Sequence, residues 1–197
     1  MVMMPDSLGA HIDPFFQQTT LAVFCDILEP GTMQPYNRCP RGIGKKAEAY
    51  IKASGVGDTG YFGPEAEFFV FDDVRWSVEP WNTGYSFDST ELPINTNKPY
   101  EGGNMGHRPG PKGGYFPVPP IDSGQDLRGE MLEIMGSIGL NPEKHHHEVA
   151  PAQHELGLKF NTLVRMADNM NLYKYIIHNV AHQYGKSATF MPKPYYK

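Results

Sequence analysis

Four glutamates and a run of three histidines are the groups in this chain whose types and spacing could do chemistry. Glu65 and Glu67 sit two apart in YFGPEAEFFVF (61–71), which reads as an aromatic-rich strand. Both carboxylates would then share a face with Phe69 and Phe71. Two like charges on an apolar face repel and lose hydration unless a cation offsets both costs. The plainer alternative is an edge strand with a solvated end. Glu148 and Glu155 sit seven apart, a spacing that a regular strand would split between opposite faces. Pro151 argues against a helix there, and a bulge or turn at Pro151-Ala152-Gln153 would let the two converge. Three or four converging carboxylates suit Mg2+ or Mn2+, hard cations that take oxygen ligands and keep positions open for phosphate oxygens.

The run His145-His146-His147 suggests zinc, but strand alternation sends His145 and His147 to one face and His146 to the other with Glu148. Adjacent strand histidines cannot all reach one ion, and no cysteine or H-E-x-x-H pattern assists. His146 beside Glu148 could instead meet phosphate or metal-bound solvent. His11, His107, His154, His178 and His182 read as surface or core residues. No P-loop is present, and no G-x-G-x-x-G follows a strand.

The elements that must position these groups follow from pattern. Residues 21–28 (LAVFCDIL) predict a strand. Pro40 suits the first position of a helix whose Ile43, Ala47, Tyr50 and Ile51 share a face, with Gly55 after its end. Pro93 to Pro120 is rich in proline and glycine and predicts a long functional loop carrying Tyr100, His107, Tyr115 and Phe116. Asp122 or Ser123 can cap a helix with the stripe Leu127, Met131, Met135, Ile138, closed by Gly139. Residues 144–150 predict a strand. Asn161 can cap a helix to Tyr184 with the stripe Val164, Ala167, Met170, Lys174, Ile177, Ala181, Tyr184, stopped by Gly185. A last strand begins at Ala188. The irregular alternation of strands and helices predicts an α+β fold rather than a doubly wound sheet.

Composition is that of an ordinary soluble protein: 40% hydrophobic, 20% charged, net charge −5. Without a Lys/Arg block there is no nucleic-acid or anionic-membrane footprint. No stretch nears the ~20 apolar residues of a membrane span. Cys25 and Cys39, with no C-x-x-C, favour a reduced cytoplasmic setting. The start MVMMPDSLG does not read as a signal peptide.

Three stretches resemble the glutamine synthetase family, type I (bacterial) branch: FGPEAEFFVFDD (62–73), NPEKHHHEVAPAQHELGLKFN (141–161) and NVAHQYGKSATFMPKP (179–194), with CDILEPGT (25–32) and KGGYFPVPPIDS (112–123) adding to the match. The resemblance implies a largely antiparallel active-site sheet with flanking helices. Residues 1–40 would be the tail of a small β-grasp-like N-terminal domain, and 41–197 the first half of the catalytic domain. It implies ATP-dependent joining of ammonia to glutamate through a γ-glutamyl phosphate. It puts Glu67, Glu148 and Glu155 around one Mg2+ or Mn2+, Glu65 at a second nearer the ATP phosphates, and Tyr115 at the ammonium site. Glu143 and Phe160 match positions near the nucleotide. Two stacked hexameric rings of subunits are implied as well. The family's aspartate-bearing segment would precede Met1, and its nucleotide-binding glycine-rich turn would follow Lys197, so the chain reads as an internal piece, inactive alone. The runners-up are a γ-glutamyl–amine ligase and a non-catalytic relative.

Overall fold

The computed structural model describes residues 1–92 and 106–195. Residues 93–105 of the predicted loop, Tyr100 among them, lie outside the described residues. In chain order the elements are β1 (Val2–Pro5), β2 (His11–Ile12), β3 (Leu21–Ala22), β4 (Cys25–Leu28), α1 (Pro40–Ala53), β5 (Tyr61–Phe62), β6 (Phe68–Phe71), β7 (Asp73–Glu79) and β8 (Asn82–Asp88). They continue with α2 (Gln125–Ser137), β9 (Pro142–His147), β10 (Gln153–Leu158), β11 (Asn161–Thr162), α3 (Leu163–Gln183) and β12 (Ser187–Thr189). The fold class is α+β, as the pattern predicts. Among the described residues no helix is long and apolar enough to cross a membrane.

The chain divides into two compact units, the first formed by Met1–Pro64, Ile134–Asn141 and Leu158–Lys174. Here β1 pairs with β4, β2 with β3 and β5 with β11, all antiparallel. The predicted strand 21–28 is two strands, parted at Val23-Phe24, where the Phe24 carbonyl accepts from Asp6 N at 2.8 Å. Helix α1 starts at Pro40, whose missing N–H costs nothing in a first turn. It ends before Gly55, whose φ of 72° is left-handed backbone that glycine adopts without strain. Of its predicted stripe, Ala47 and Ile51 are half-buried, while Ile43 and Tyr50 are exposed. What roots α1 is ionic: Arg41 bonds Asp6, Asp26 and Asp168. Asn161 does not cap α3. Its side chain accepts from Thr162 N at 2.9 Å, and the Val164 N–H goes to Glu48 Oε1 of α1 at 3.0 Å. On the part of α3 in this unit the buried residues are Val164, Met166, Asp168 and Tyr173, whereas Ala167 and Lys174 of the predicted stripe are exposed. The charged Asp168 holds a buried helical position because Arg41 pairs with it.

The second unit comprises Glu65–Glu133, Pro142–Gly157 and Tyr175–Lys197. Its sheet has the order β12-β6-β10-β9, and β6 pairs antiparallel with both β12 and β10. All four residues of β6 are buried. Phe69 and Phe71 meet Phe87, Leu92, Ala152 and Tyr195, while Phe68 on the opposite face meets His154 and Phe190. Each such side chain contributes about 1.5–3 kcal/mol by leaving water, so β6 is the fixed axis of the unit. The predicted strand 61–71 is interrupted between β5 and β6. Pro64 lies in the gap and has no N–H to give to a ladder. Helix α2 starts at Gln125. Of the two expected caps, Asp122 accepts from Gly124 N at 3.0 Å and turns its carboxylate to Arg128, and Ser123 gives its hydroxyl to Glu91.

Candidate metal centre

The hairpin β9–β10 brings the candidate ligands together. The Glu148 N–H donates to the Gln153 carbonyl at 2.8 Å, and Ala152 takes a left-handed φ of 63° just before β10. The anticipated turn at Pro151-Ala152-Gln153 is present, and it resolves the odd spacing of the two glutamates. His146, Glu148 and Glu155 converge, each offering one ligand atom, with those atoms within 4.8 Å of one another. Among the described residues this is the one group of three or more such donors. All three residues are buried. His146 Nε2 stands 2.7 Å from Glu148 Oε1 and 3.4 Å from Glu155 Oε2. The second Glu148 oxygen accepts from Val149 N at 3.0 Å. Burial raises the Glu155 carboxyl above the ordinary range; His146 pulls the other way, and Glu65 and Glu148 push it up further.

Glu65 and Glu67 differ from expectation. They lie in the exposed segment before β6 rather than on the strand, because the strand begins only at Phe68. Glu67 accepts a hydrogen bond from Gln153 Nε2 at the start of β10, and the charge of Glu65 is felt at Glu155. Neither belongs to the three-residue cluster. Tyr115 is exposed, with its ring edge-on to His146 at 6.0 Å, and Phe116 lies 4.7 Å from the same imidazole. Their loop is fitted closely to the hairpin: Gly114 N donates to Val149 O at 3.0 Å. A Cβ on Gly114 would fall 2.5 Å from the Glu148 carbonyl and 2.7 Å from the His147 ring, so only glycine fits. Glu143 is exposed on β9, outside the cluster. Phe160, in the first unit, is exposed with Tyr61 edge-on at 5.2 Å.

The three histidines have three separate duties, and alternation accounts for the parting of His146 from the other two. His146 faces the carboxylates. His145 Nδ1 accepts from Arg128 Nε at 3.1 Å. His147 is fully enclosed, its Nε2 2.7 Å from Glu91 and its Nδ1 2.6 Å from the Glu148 carbonyl. Both partners are acceptors, so the ring is held as the doubly protonated cation. Burial opposes that charge, but the hydrogen bond and charge of Glu91 outweigh it and raise the His147 pKa. For Glu91 itself, burial would raise the carboxyl, yet His147 prevails and holds it at about 2. Behind this pair lies another. Arg128, 1% exposed, grips both oxygens of Asp122. His154 Nδ1 lies 2.9 Å from Arg128 Nη1, and full burial depresses its pKa to about 3, so it accepts as a neutral ring. Two buried cations are thus matched by two buried anions.

Sequence reasoning missed this network. Arg128 was detectable as a cation at helical spacing from Met131 and Met135, six residues after Asp122. Glu91 was not, since nothing local links it to a histidine 56 residues away.

Residues 37–197 match the glutamine synthetase catalytic domain. The chain is 66% identical over 196 residues to the glutamine synthetase of Bradyrhizobium diazoefficiens, covering 100% of this chain and 42% of that protein. Against the enzyme of Rhizobium meliloti it is 64% identical, covering 98% and 41%. Against that of Salmonella typhimurium it is 56% identical, covering 98% and 42%. A cryo-EM structure of Plasmodium falciparum glutamine synthetase superposes with a TM-score of 0.87 at 28% identity, over 98% of this chain and 38% of that one. GmaS in complex with ADP, at 22% identity and TM-score 0.70 over 98% of this chain and 38% of its own, shares the fold. The chain therefore spans about two-fifths of the length of the curated relatives it matches.

Proposed function

The chain belongs to the glutamine synthetase catalytic-domain family, and from that premise we propose that the whole protein is a glutamate–ammonia ligase using ATP and Mg2+ or Mn2+. The observation that carries the reading is the buried convergence of His146, Glu148 and Glu155 on one hairpin. The donor set fits a hard divalent cation: two carboxylates with a third charge from Glu65 close enough to raise Glu155. Glu67, Glu148 and Glu155 would hold one ion and Glu65 would help hold a second. When bound, such ions neutralise the charge of a transferring phosphoryl group and orient its oxygens.

In the reaction, an oxygen of the glutamate γ-carboxylate takes the γ-phosphoryl of ATP, releasing ADP and giving γ-glutamyl phosphate. Ammonia, formed when bound ammonium loses a proton, attacks the γ-carbonyl and expels phosphate. Tyr115 lines the ammonium site, where its exposed hydroxyl and ring would exchange water for a fixed polar environment. His146, between the Tyr115–Phe116 pair and the carboxylates, meets phosphate or metal-bound solvent. Glu143 and Phe160 each match a family position near the nucleotide. Residues 1–40 form the tail of the N-terminal domain and 41–197 the first half of the catalytic domain. The whole protein works in the cytoplasm as a homo-oligomer of two stacked hexameric rings.

Purified full-length protein is expected to release phosphate from ATP only when glutamate, ammonia and Mg2+ or Mn2+ are all supplied. Turnover faster with putrescine than with ammonia would move the reading to a γ-glutamyl–amine ligase. Metal binding with no ATP turnover would make the protein a non-catalytic relative.

A further inference from the structure

We propose that Glu91 is a positioning residue: it clamps both ends of the β9–β10 turn and so sets where the Glu148 carboxylate stands. The inference rests on reading Glu148 as a metal ligand. One oxygen of Glu91, Oε2, receives His147 Nε2 at 2.7 Å and the Ala152 N–H at 2.6 Å. His147 is the last residue of β9 and Ala152 the residue just before β10, so a single atom holds the turn closed at both ends. The other oxygen, Oε1, accepts from Ser123 Oγ at 2.5 Å and Ser123 N at 3.3 Å. The carboxylate is therefore anchored before it anchors anything. His147 relays the hold, since its Nδ1 donates to the Glu148 carbonyl at 2.6 Å. That bond fixes the Glu148 peptide and, with it, the direction in which the Glu148 side chain leaves the backbone. Glu91 is 3% exposed and its hydrogen bonds run to His147, Ala152 and Ser123, so its influence on Glu148 passes through the turn.

The chemistry of the clamp requires a carboxylate. Backbone N–H groups approach Glu91 from both sides, Ala152 on one oxygen and Ser123 on the other. A glutamine here must aim its NH2 at one of them and set donor against donor. Outer partners that orient ligands in this way affect metal affinity as well as stability.

The test uses the full-length protein with Mn2+ alone as probe, titrated calorimetrically well below the melting temperature, which is measured in parallel. Glu91→Gln is expected to weaken Mn2+ binding by about 10–100-fold. Ser123→Ala, which removes one hydroxyl donor from the clamp, is expected to weaken it by about threefold with the fold intact. A folded Glu91→Gln protein that binds Mn2+ as wild type, with only its melting temperature lowered, overturns the inference and leaves Glu91 a stabilising residue. If Glu91→Gln does not fold, Ser123→Ala decides: unchanged affinity overturns the clamp. Glu148→Ala and Glu155→Ala separate the two levels. Retained Mn2+ binding in both overturns the metal-site reading itself. Lost binding in both, with wild-type affinity in Glu91→Gln, overturns the clamp alone.

Discussion

In the first unit, the Arg41 guanidinium reaches Asp168 through Nε and Nη2, Asp26 through Nη1 and Asp6 through Nη2, and Lys45 adds a second cation at Asp26. In the second, Glu148 and Glu155 face one imidazole, with Glu65 adding more negative charge. Both clusters set carboxylates around a basic side chain, and their titration behaviour is opposite. Hydrogen bonding from Arg41 lowers the Asp6 carboxyl. For Asp26, burial would raise the carboxyl, but Lys45 and Arg41 outweigh it and lower it. The Glu155 carboxyl is raised. A cluster whose cations come from its own chain is a finished piece of architecture. A buried cluster left with excess negative charge is one whose folded form favours an added cation.

That contrast can be broken or sharpened by experiment. The largest effect is expected where a finished buried pair is cut. Arg128→Ala leaves Asp122 enclosed without its cation and should cost about 3–5 kcal/mol by denaturant titration. A loss below 1 kcal/mol (about the worth of a surface pair) would mean that this network is not closed to water. Next comes the acid limb of stability. The Glu91 carboxyl sits at about 2 against an ordinary 4.5. A depressed carboxyl stabilises the fold fully above its ordinary value, and that contribution is lost as pH falls toward the folded one. The gap corresponds to about 3 kcal/mol. Glu91→Gln should flatten the stability curve over this window; curves that stay parallel to wild type would assign the limb to other carboxylates.

A third test contrasts the clusters directly. Glu155→Gln should lower activity by more than about 100-fold, beyond the loss of an outer partner, with stability unchanged or slightly raised because a like charge is gone. Asp168→Asn should do the reverse, lowering the denaturation midpoint and leaving Mn2+ affinity alone. If both substitutions act on stability only, the two clusters are of one kind. The smallest expected effect is that of Lys45→Ala, no more than about 1 kcal/mol of stability because the lysine is 42% exposed, with Mn2+ titration unchanged.

The sequence was most informative where a residue type had one physical use. Pro40, Gly55, Gly139 and Gly185 bound the helices as expected, the three glycines with positive φ. A bulge or turn at Pro151-Ala152-Gln153 was open to inference because Pro151 argues against a helix and either would let the two carboxylates converge. Legibility failed where tertiary partners override local pattern. The aromatic run 61–71 looked continuous, but Pro64 interrupts it and puts Glu65 and Glu67 ahead of the strand. On α3 the apolar stripe was misplaced because Ala167 carries little facing information, while Asp168 owes its burial to an arginine 127 residues away. The Glu91–His147 pair was invisible for the same reason.

Those long separations bear on how the molecule comes into being. The bonds from Glu91 to His147 and Ala152 close loops of 56 and 61 residues, and the chain entropy of such closures must be met before the contacts return anything. A local hairpin from β9 to β10 can form early and flicker. The turn can be clamped only after the distant segment bearing Glu91 has arrived, so on the metal-site reading competence to bind a cation would come late in folding, and cation binding would report its completion in this unit.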